Sequence, residues 1–160
     1  MLDIRLIALK DDPEIGQLIR SVLEEFNVPK VGTAYADVSL NCMFETYQRP
    51  RSRYFIVSDG KAIYGGGGIA PLEQYSDQYC ELQKMYFHKS IRGRGFGQKM
   101  MNLCLEFAQK QGYTHCYLET MEYMTQAQGL YRLSGFTYID GPLGDTGHHA
   151  CGVQMIKELL

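Results

Sequence analysis

The 160-residue chain is 45% hydrophobic and 21% charged, which fits one domain spanning residues 1–160 with its own core. A formal net charge of -2 argues against a nucleic-acid binder, and no apolar run approaches the roughly 18 residues of a membrane span. The cysteines Cys42, Cys80, Cys104, Cys116 and Cys151 are scattered with no Cys-x-x-Cys pair, so neither a disulfide framework nor a zinc ribbon is expected. Asp3 and Arg5 interrupt the N-terminal apolar residues and leave no signal-peptide core, so the expected location is the cytoplasm.

In chain order, residues 3–9 read as a strand, and Asp12-Pro13-Glu14 supplies a cap, a proline for the first helical position and a first-turn acid. A helix follows whose apolar face is Ile15, Leu18, Ile19, Val22, Leu23 and Phe26, ending at Asn27 to Lys30. Residues 38–48 give a weaker helix with Leu40, Met43, Phe44 and Tyr47. Arg53–Ser58 and Ala62–Ala70 read as a hairpin turning on Asp59-Gly60. Within it, Gly65 to Gly68 precede no helix signal, so they mark a bulge or a close backbone approach rather than a phosphate loop.

Residues 78–88 form the next strand, and 96–111 a helix turning Phe96, Met100, Leu103, Cys104, Phe107 and Ala108 inward before Gly112 stops it. His115–Thr120 is strand, Thr125–Ser134 helix closed by Gly135, Phe136–Ile139 strand, and Cys151–Lys157 the last strand. Strands interleaved with helices, plus one hairpin, predict an α/β fold with a mixed sheet.

Between the strand ending near His88 and the helix beginning near Phe96 lies Arg92-Gly93-Arg94-Gly95-Phe96-Gly97-Gln98. A glycine-dense turn opening a helix presents free backbone N–H groups and the positive end of the helix dipole, which suits a phosphate. Gln98-Lys99-Met100 lacks the final glycine and hydroxyl of a nucleotide-triphosphate loop. A dinucleotide fingerprint fails too, because its last glycine would fall on Gln98 or Met100. What remains is Arg-x-x-Gly-x-Gly on Arg92, Gly95 and Gly97, which resembles the acetyl-CoA pyrophosphate loop of the GNAT superfamily of N-acetyltransferases. Glu81 to Phe87 before the loop, Ala127-x-x-Leu130-Tyr131-x-x-x-Gly135-Phe136 after it, and the closing Met155-x-Lys157-x-Leu159 extend the likeness over nearly the whole chain.

The resemblance implies a three-layer fold, a mixed central sheet of about seven strands with helices on both faces. It implies acetyl-CoA as cosubstrate, with the backbone of Met85, Tyr86 and Phe87 facing the pantetheine and thioester and Ala127 beside the thiol. The amides of Gly93, Arg94, Gly95, Phe96, Gly97 and Gln98 would hold the pyrophosphate, with charge from Arg92 and Arg94. Tyr131 is the expected general acid and Glu81 the expected base, with Glu119 its rival; alternatively Glu81 only binds the substrate ammonium or pairs with Lys84. Many members carry an asparagine where this chain has Met124, so the cofactor would lean on backbone contacts.

The expected reaction is direct acetyl transfer in a ternary complex to a primary amine, a small-molecule amine or amino acid being favoured. A protein or peptide acceptor and a CoA-binding sensor without turnover are the alternatives. No cysteine sits in a nucleophile-type motif, which disfavours an acyl-cysteine route. The resemblance also admits a homodimer. Gly147-His148-His149-Ala150-Cys151 lacks a second ligand group at metal spacing, so no metal is expected, and a histidine at the acceptor-site mouth is the other reading. Arg49, Arg51 and Arg53 read as a solvated edge. Residues 71–77 and 141–149 are expected to border the acceptor site.

Overall fold

Alternation along the strands sorts their side chains onto two faces. On β2 (Arg53–Ser58), Tyr54 and Ile56 enter one core and Val57 the other, and each core is roofed by its own helices. The computed structural model describes residues 1–160. Its other strands are β1 (Asp3–Leu6), β3 (Ile63–Pro71), β4 (Tyr79–Phe87), β5 (His115–Thr120), β6 (Thr137–Ile139) and β7 (Val153–Glu158). They form one sheet in the order β1-β2-β3-β4-β5-β7-β6, parallel only between β4 and β5.

The helices α1 (Asp12–Glu25) and α2 (Met43–Thr46) cover one face with Ile15, Ile19, Leu23 and Met43. On the other, α3 (Phe96–Lys110) and α4 (Thr125–Leu133) bury Met100, Cys104, Phe107 and Tyr131. The expected three layers are therefore present.

Several boundaries differ from the sequence pattern, each for a local polar reason. The first strand stops at Leu6, because Leu9–Asp11 winds into a 3₁₀ turn whose Asp11 carboxylate accepts the Ala8 amide and both Arg5 guanidinium nitrogens. Asp12 is the first residue of α1 rather than its cap, and its carboxylate accepts the Phe44 amide at 2.8 Å. Residues 38–48 split into a 3₁₀ turn at Val38–Asn41 and the short α2, with Phe44 only half-buried. The hairpin turn is longer than Asp59-Gly60, since Asp59 Oδ1 accepts the amides of both Lys61 and Ala62. On α3, Leu103 is half-exposed, whereas the neighbouring Met101 is fully buried.

The four-glycine run does permit a close approach. A Cβ on Gly66 or Gly68 would lie about 2.6 Å or 2.5 Å from atoms of the Tyr54 ring, so the ring sits where side chains would otherwise be. Opposite, the β3–β4 register slips between Gly66↔Tyr86 and Gly68↔Gln83, leaving an extra β4 residue at a bulge. Lys84 takes the left-handed conformation there, φ 51°, and Tyr54 Oη donates to its carbonyl at 2.7 Å. Tyr54 thus fills the space the glycines leave and pins the bulge.

Candidate active site

Beyond the bulge, β4 parts from β5. The two strands pair only from Tyr79↔His115 to Glu81↔Tyr117, so the β5-facing edge of β4 has no strand partner from Leu82 onward. Into this split opens a cleft of about 470 Å³ lined by Met85, Tyr86, Phe87, Arg92, Gly93 and Gly97 on one side and by Ala127, Leu130 and Tyr131 on the other. Gly95 caps α3 with φ 86° and Gly93 has φ 74°, left-handed values that favour glycine. The amides from Gly93 through Gln98 donate to no acceptor in the chain, as the phosphate reading of the loop requires.

The side chains of that loop behave differently from its backbone. Arg92, expected to lend charge to the pyrophosphate, donates two bonds to Glu25 at 2.6 and 2.9 Å and one from Nε to the Phe87 carbonyl at 2.9 Å. Its guanidinium ties α1 to the end of β4. Arg94, Gly95, Phe96 and Gln98 do not line the cleft: Arg94 lies over the Phe96 ring, Phe96 is buried in the core, and Gln98 bonds Asn102. Only their amides are offered at the helix start.

Tyr131 is buried on α4 and lines the cleft, and its hydroxyl has no hydrogen-bond partner. No fully buried polar side-chain atom lacks a partner in this fold, so that hydroxyl opens on the cleft. Burial pushes its pKa up to about 12, which keeps the phenol protonated across physiological pH.

A smaller cavity of about 40 Å³ lies behind the cleft, and Tyr86 and Met124 line both. It holds Glu81, Lys84, Glu119 and His148. Glu81 is 4% exposed; its Oε1 accepts from Gln83 Nε2 at 2.6 Å, and its other oxygen has no partner. Burial, reinforced by the nearby Glu119 charge and opposed by the Gln83 bond, pushes the Glu81 pKa up to about 7. The alternative pairing of Glu81 with Lys84 does not form: the bulge turns Lys84 Nζ to Asp37, at 3.1 Å.

Asp37 also accepts from His148 Nε2 at 2.9 Å, and His148 Nδ1 faces Glu119 at 3.9 Å. Burial opposes both ionised forms, yet their mutual hydrogen bond and the Lys84 charge beside Asp37 leave the Asp37 pKa lowered; the same pairing leaves that of His148 raised. Glu119 accepts hydroxyl bonds from Tyr117, at 2.6 Å, and from Thr146. Donor atoms of Glu81, Glu119 and His148 all lie within 4.8 Å of one another, close enough to surround one cation.

From residues 141–149, His148 lines this cavity and Thr146 donates to Glu119 on its wall. Residues 71–77 do not line it; Glu73 instead props the other loop by accepting the Asp145 amide at 2.8 Å. His149 packs its ring against Gly32 and stays outside. The arginine edge is not free solvated charge: Arg49 pairs with Glu73, Arg51 stacks on Tyr113, and Arg53 lies over Phe107. Asp37 escaped the sequence reading, and Lys84 was read toward Glu81 rather than Asp37, because neither a 3₁₀ turn nor a left-handed lysine announces where a side chain will point.

Residues 18–136 match the model of the acetyltransferase (GNAT) family. The chain belongs to the GNAT family. It is an N-acetyltransferase that uses acetyl-CoA. An uncharacterized N-acetyltransferase, YjgM of Escherichia coli K12, is 40% identical over 156 residues, covering 97% of this chain and 93% of its own. A GNAT acetyltransferase from Staphylococcus aureus Mu50 superimposes with a TM-score of 0.86 at 21% identity, over 100% of both chains. The Salmonella typhimurium protein yncA, solved with its cofactor acetyl-CoA, superimposes with a TM-score of 0.76 at 15% identity, over 99% of this chain and 94% of its own.

Proposed function

We propose that this GNAT enzyme transfers acetyl from acetyl-CoA directly to a small primary amine, with Glu81 as base and Tyr131 as acid. The observation that carries the reading is the pair of joined cavities, one with free helix-start amides and the Tyr131 hydroxyl, the other with the half-satisfied Glu81 carboxylate.

Bound acetyl-CoA supplies the thioester. The amides from Gly93 through Gln98 receive its pyrophosphate, and the unpaired edge of β4 from Met85 to Phe87 lies along the pantetheine arm. An alkylammonium ion near pKa ~10 must lose a proton before its lone pair attacks. Glu81, tuned to about 7, accepts that proton through its free oxygen or one water. As the N–C bond forms and the C–S bond breaks, the second nitrogen proton leaves to solvent and Tyr131 gives its phenolic proton to the departing thiolate. Solvent then reprotonates Tyr131 and clears Glu81 for the next turnover.

The test combines thiol release from acetyl-CoA across an amine panel, mass detection of the acetylated product, and melting with and without acetyl-CoA. The expected result is a rise in Tm with acetyl-CoA and amine-dependent thiol release. Failure of acetyl-CoA to raise Tm at any concentration sinks the reading. A rise in Tm with no thiol release for any amine would favour a CoA sensor.

A further inference from the structure

The charges of the inner cavity do not balance, and the imbalance identifies what enters it. Glu81 and Glu119 on the cavity wall and Asp37 just beyond it supply three carboxylates against two cations, Lys84 and a His148 whose bond to Asp37 favours its charged form. Both cations are already matched: Lys84, its side chain 6% exposed, lies on Asp37, and His148 lies between Asp37 and Glu119. With every acid ionised the group is short of one positive charge, and the unfilled oxygen belongs to Glu81, a side chain more than nine-tenths buried that still opens on the cavity. Tyr47 and Gln83 fix its orientation, Tyr47 Oη donating to Gln83 Oε1 at 2.6 Å while Gln83 donates to Glu81.

Resting on the acetyl-transfer reading, we propose that the acceptor is a primary amine with no α-carboxylate, its ammonium seated between Glu81 and Glu119. One positive charge closes the count. A free amino acid brings a carboxylate as well, and the cavity has no unpaired cation to receive it. Burying an unmatched carboxylate beside Glu81 and Glu119 is strongly unfavourable. A divalent ion held by His148 would first have to displace the proton from its ring, and the zinc arm below tests for it.

The elevated Glu81 pKa fits the same picture, since a proton on Glu81 fills the place that the ammonium takes on binding. The other titratable groups around the position are Tyr86 from β4, Tyr117 from β5 and Cys151 beside β7, all raised and so neutral at pH 7.

Matched pairs differing only by the α-carboxylate decide the matter: putrescine against ornithine, butylamine against norvaline, phenethylamine against phenylalanine, each with acetyl-CoA and a thiol-release readout. In at least one pair the decarboxylated member is expected to be turned over, with kcat/KM about 100-fold above its amino acid. Glu119→Gln removes one carboxylate and should narrow that ratio at least about fivefold. An amino acid that equals or exceeds its amine overturns the proposal, as does an unaltered ratio in a folded Glu119→Gln enzyme. A rise in Tm with acetyl-CoA but turnover of neither member also overturns it, leaving the cofactor reading intact. Zinc chloride that raises Tm in wild type but not in Glu81→Gln would give the cavity to a metal instead. Loss of the acetyl-CoA shift overturns the transfer reading and this proposal together.

Discussion

The outer cleft and the inner cavity meet at Tyr86 and Met124 but are built by opposite means. The cleft is a backbone site: a split between strands, a bulge, and a helix start whose amides have no acceptor. The cavity is a side-chain site, made from ionisable groups on the 3₁₀ region near residue 37, β4, β5 and the loop before β7. Backbone sites tolerate changes of side chain and demand particular conformations. Side-chain sites demand particular residues and are tuned by burial. Substitutions in the two regions should therefore fail differently.

The largest expected effect lies in the outer cleft. Tyr131→Phe keeps the ring and its packing but removes the proton donor, so kcat should fall by about 100- to 1,000-fold. Acetyl-CoA affinity, which the proposed reading assigns to backbone amides, should change less than about threefold. Steady-state kinetics with calorimetric binding of acetyl-CoA checks both numbers; a matching loss of affinity would make Tyr131 part of the cofactor site and blur the comparison.

Next comes Glu81→Gln, with an expected loss of about 100-fold in kcat/KM and removal of the limb that rises toward pH 7 in wild type. The stability effect has the opposite sign. The folded state raises the Glu81 pKa from 4.5 to about 7, so its contribution is fully present below about pH 4.5 and is lost as pH rises through 7. His148, raised in part by the Glu81 charge, contributes below its ordinary pKa and loses that contribution as pH rises; Glu81→Gln removes part of that raise, which trims the expected gain. Glu81→Gln should thus gain stability over wild type across that window, by no more than about 3 kcal/mol. Chemical denaturation at several pH values measures the gain; a difference independent of pH would show that Glu81 is not the group being tuned.

The same contrast explains what could be read from the sequence. The loop from Arg92 to Gln98 works through glycine spacing and a helix start, features that sequence neighbours determine, so its register was legible. Tyr131 was legible because it shares one helix with Ala127 and Leu130. The ion network was not, since Asp37 and His148 are 111 positions apart and meet only after the sheet has formed. Arg92 shows the limit from the other side: its place in the motif was clear, but its bond to Glu25 depends on where α1 docks. Boundary errors share this origin, because Asp11, Asp12 and Asp59 each bind backbone amides in ways that propensity does not record.

A smaller effect tests the link between the two regions. Tyr54 lies in neither cavity, yet its hydroxyl holds the carbonyl of Lys84 at the bulge that shapes both. Tyr54→Phe keeps the ring over the glycines and leaves that carbonyl without its donor, a loss of about 1–2 kcal/mol in stability. If the bulge is held from beneath, KM for both substrates should rise about two- to fivefold while kcat stays within about twofold. Denaturation and initial-rate measurements suffice, and a change confined to one substrate would mean that the regions are not coupled through Lys84.

The smallest effect comes from Arg92, and it separates a clamp from a phosphate ligand. Its side chain is 25% exposed and that of Glu25 is 40% exposed, so the ion pair is worth at most about 1 kcal/mol. Arg92→Lys keeps the charge beside the helix start but loses the two-pronged bond to Glu25 and the bond to the Phe87 carbonyl. Should the guanidinium act chiefly as a clamp, stability falls by about 0.5–1 kcal/mol and the Kd for acetyl-CoA moves less than about threefold. Glu25→Gln, which removes the clamp's carboxylate and leaves Arg92 in place, should reproduce the stability loss in large part. A tenfold or greater rise in Kd for Arg92→Lys with unchanged stability would return Arg92 to the cofactor, and the cleft would no longer be a site built by backbone alone.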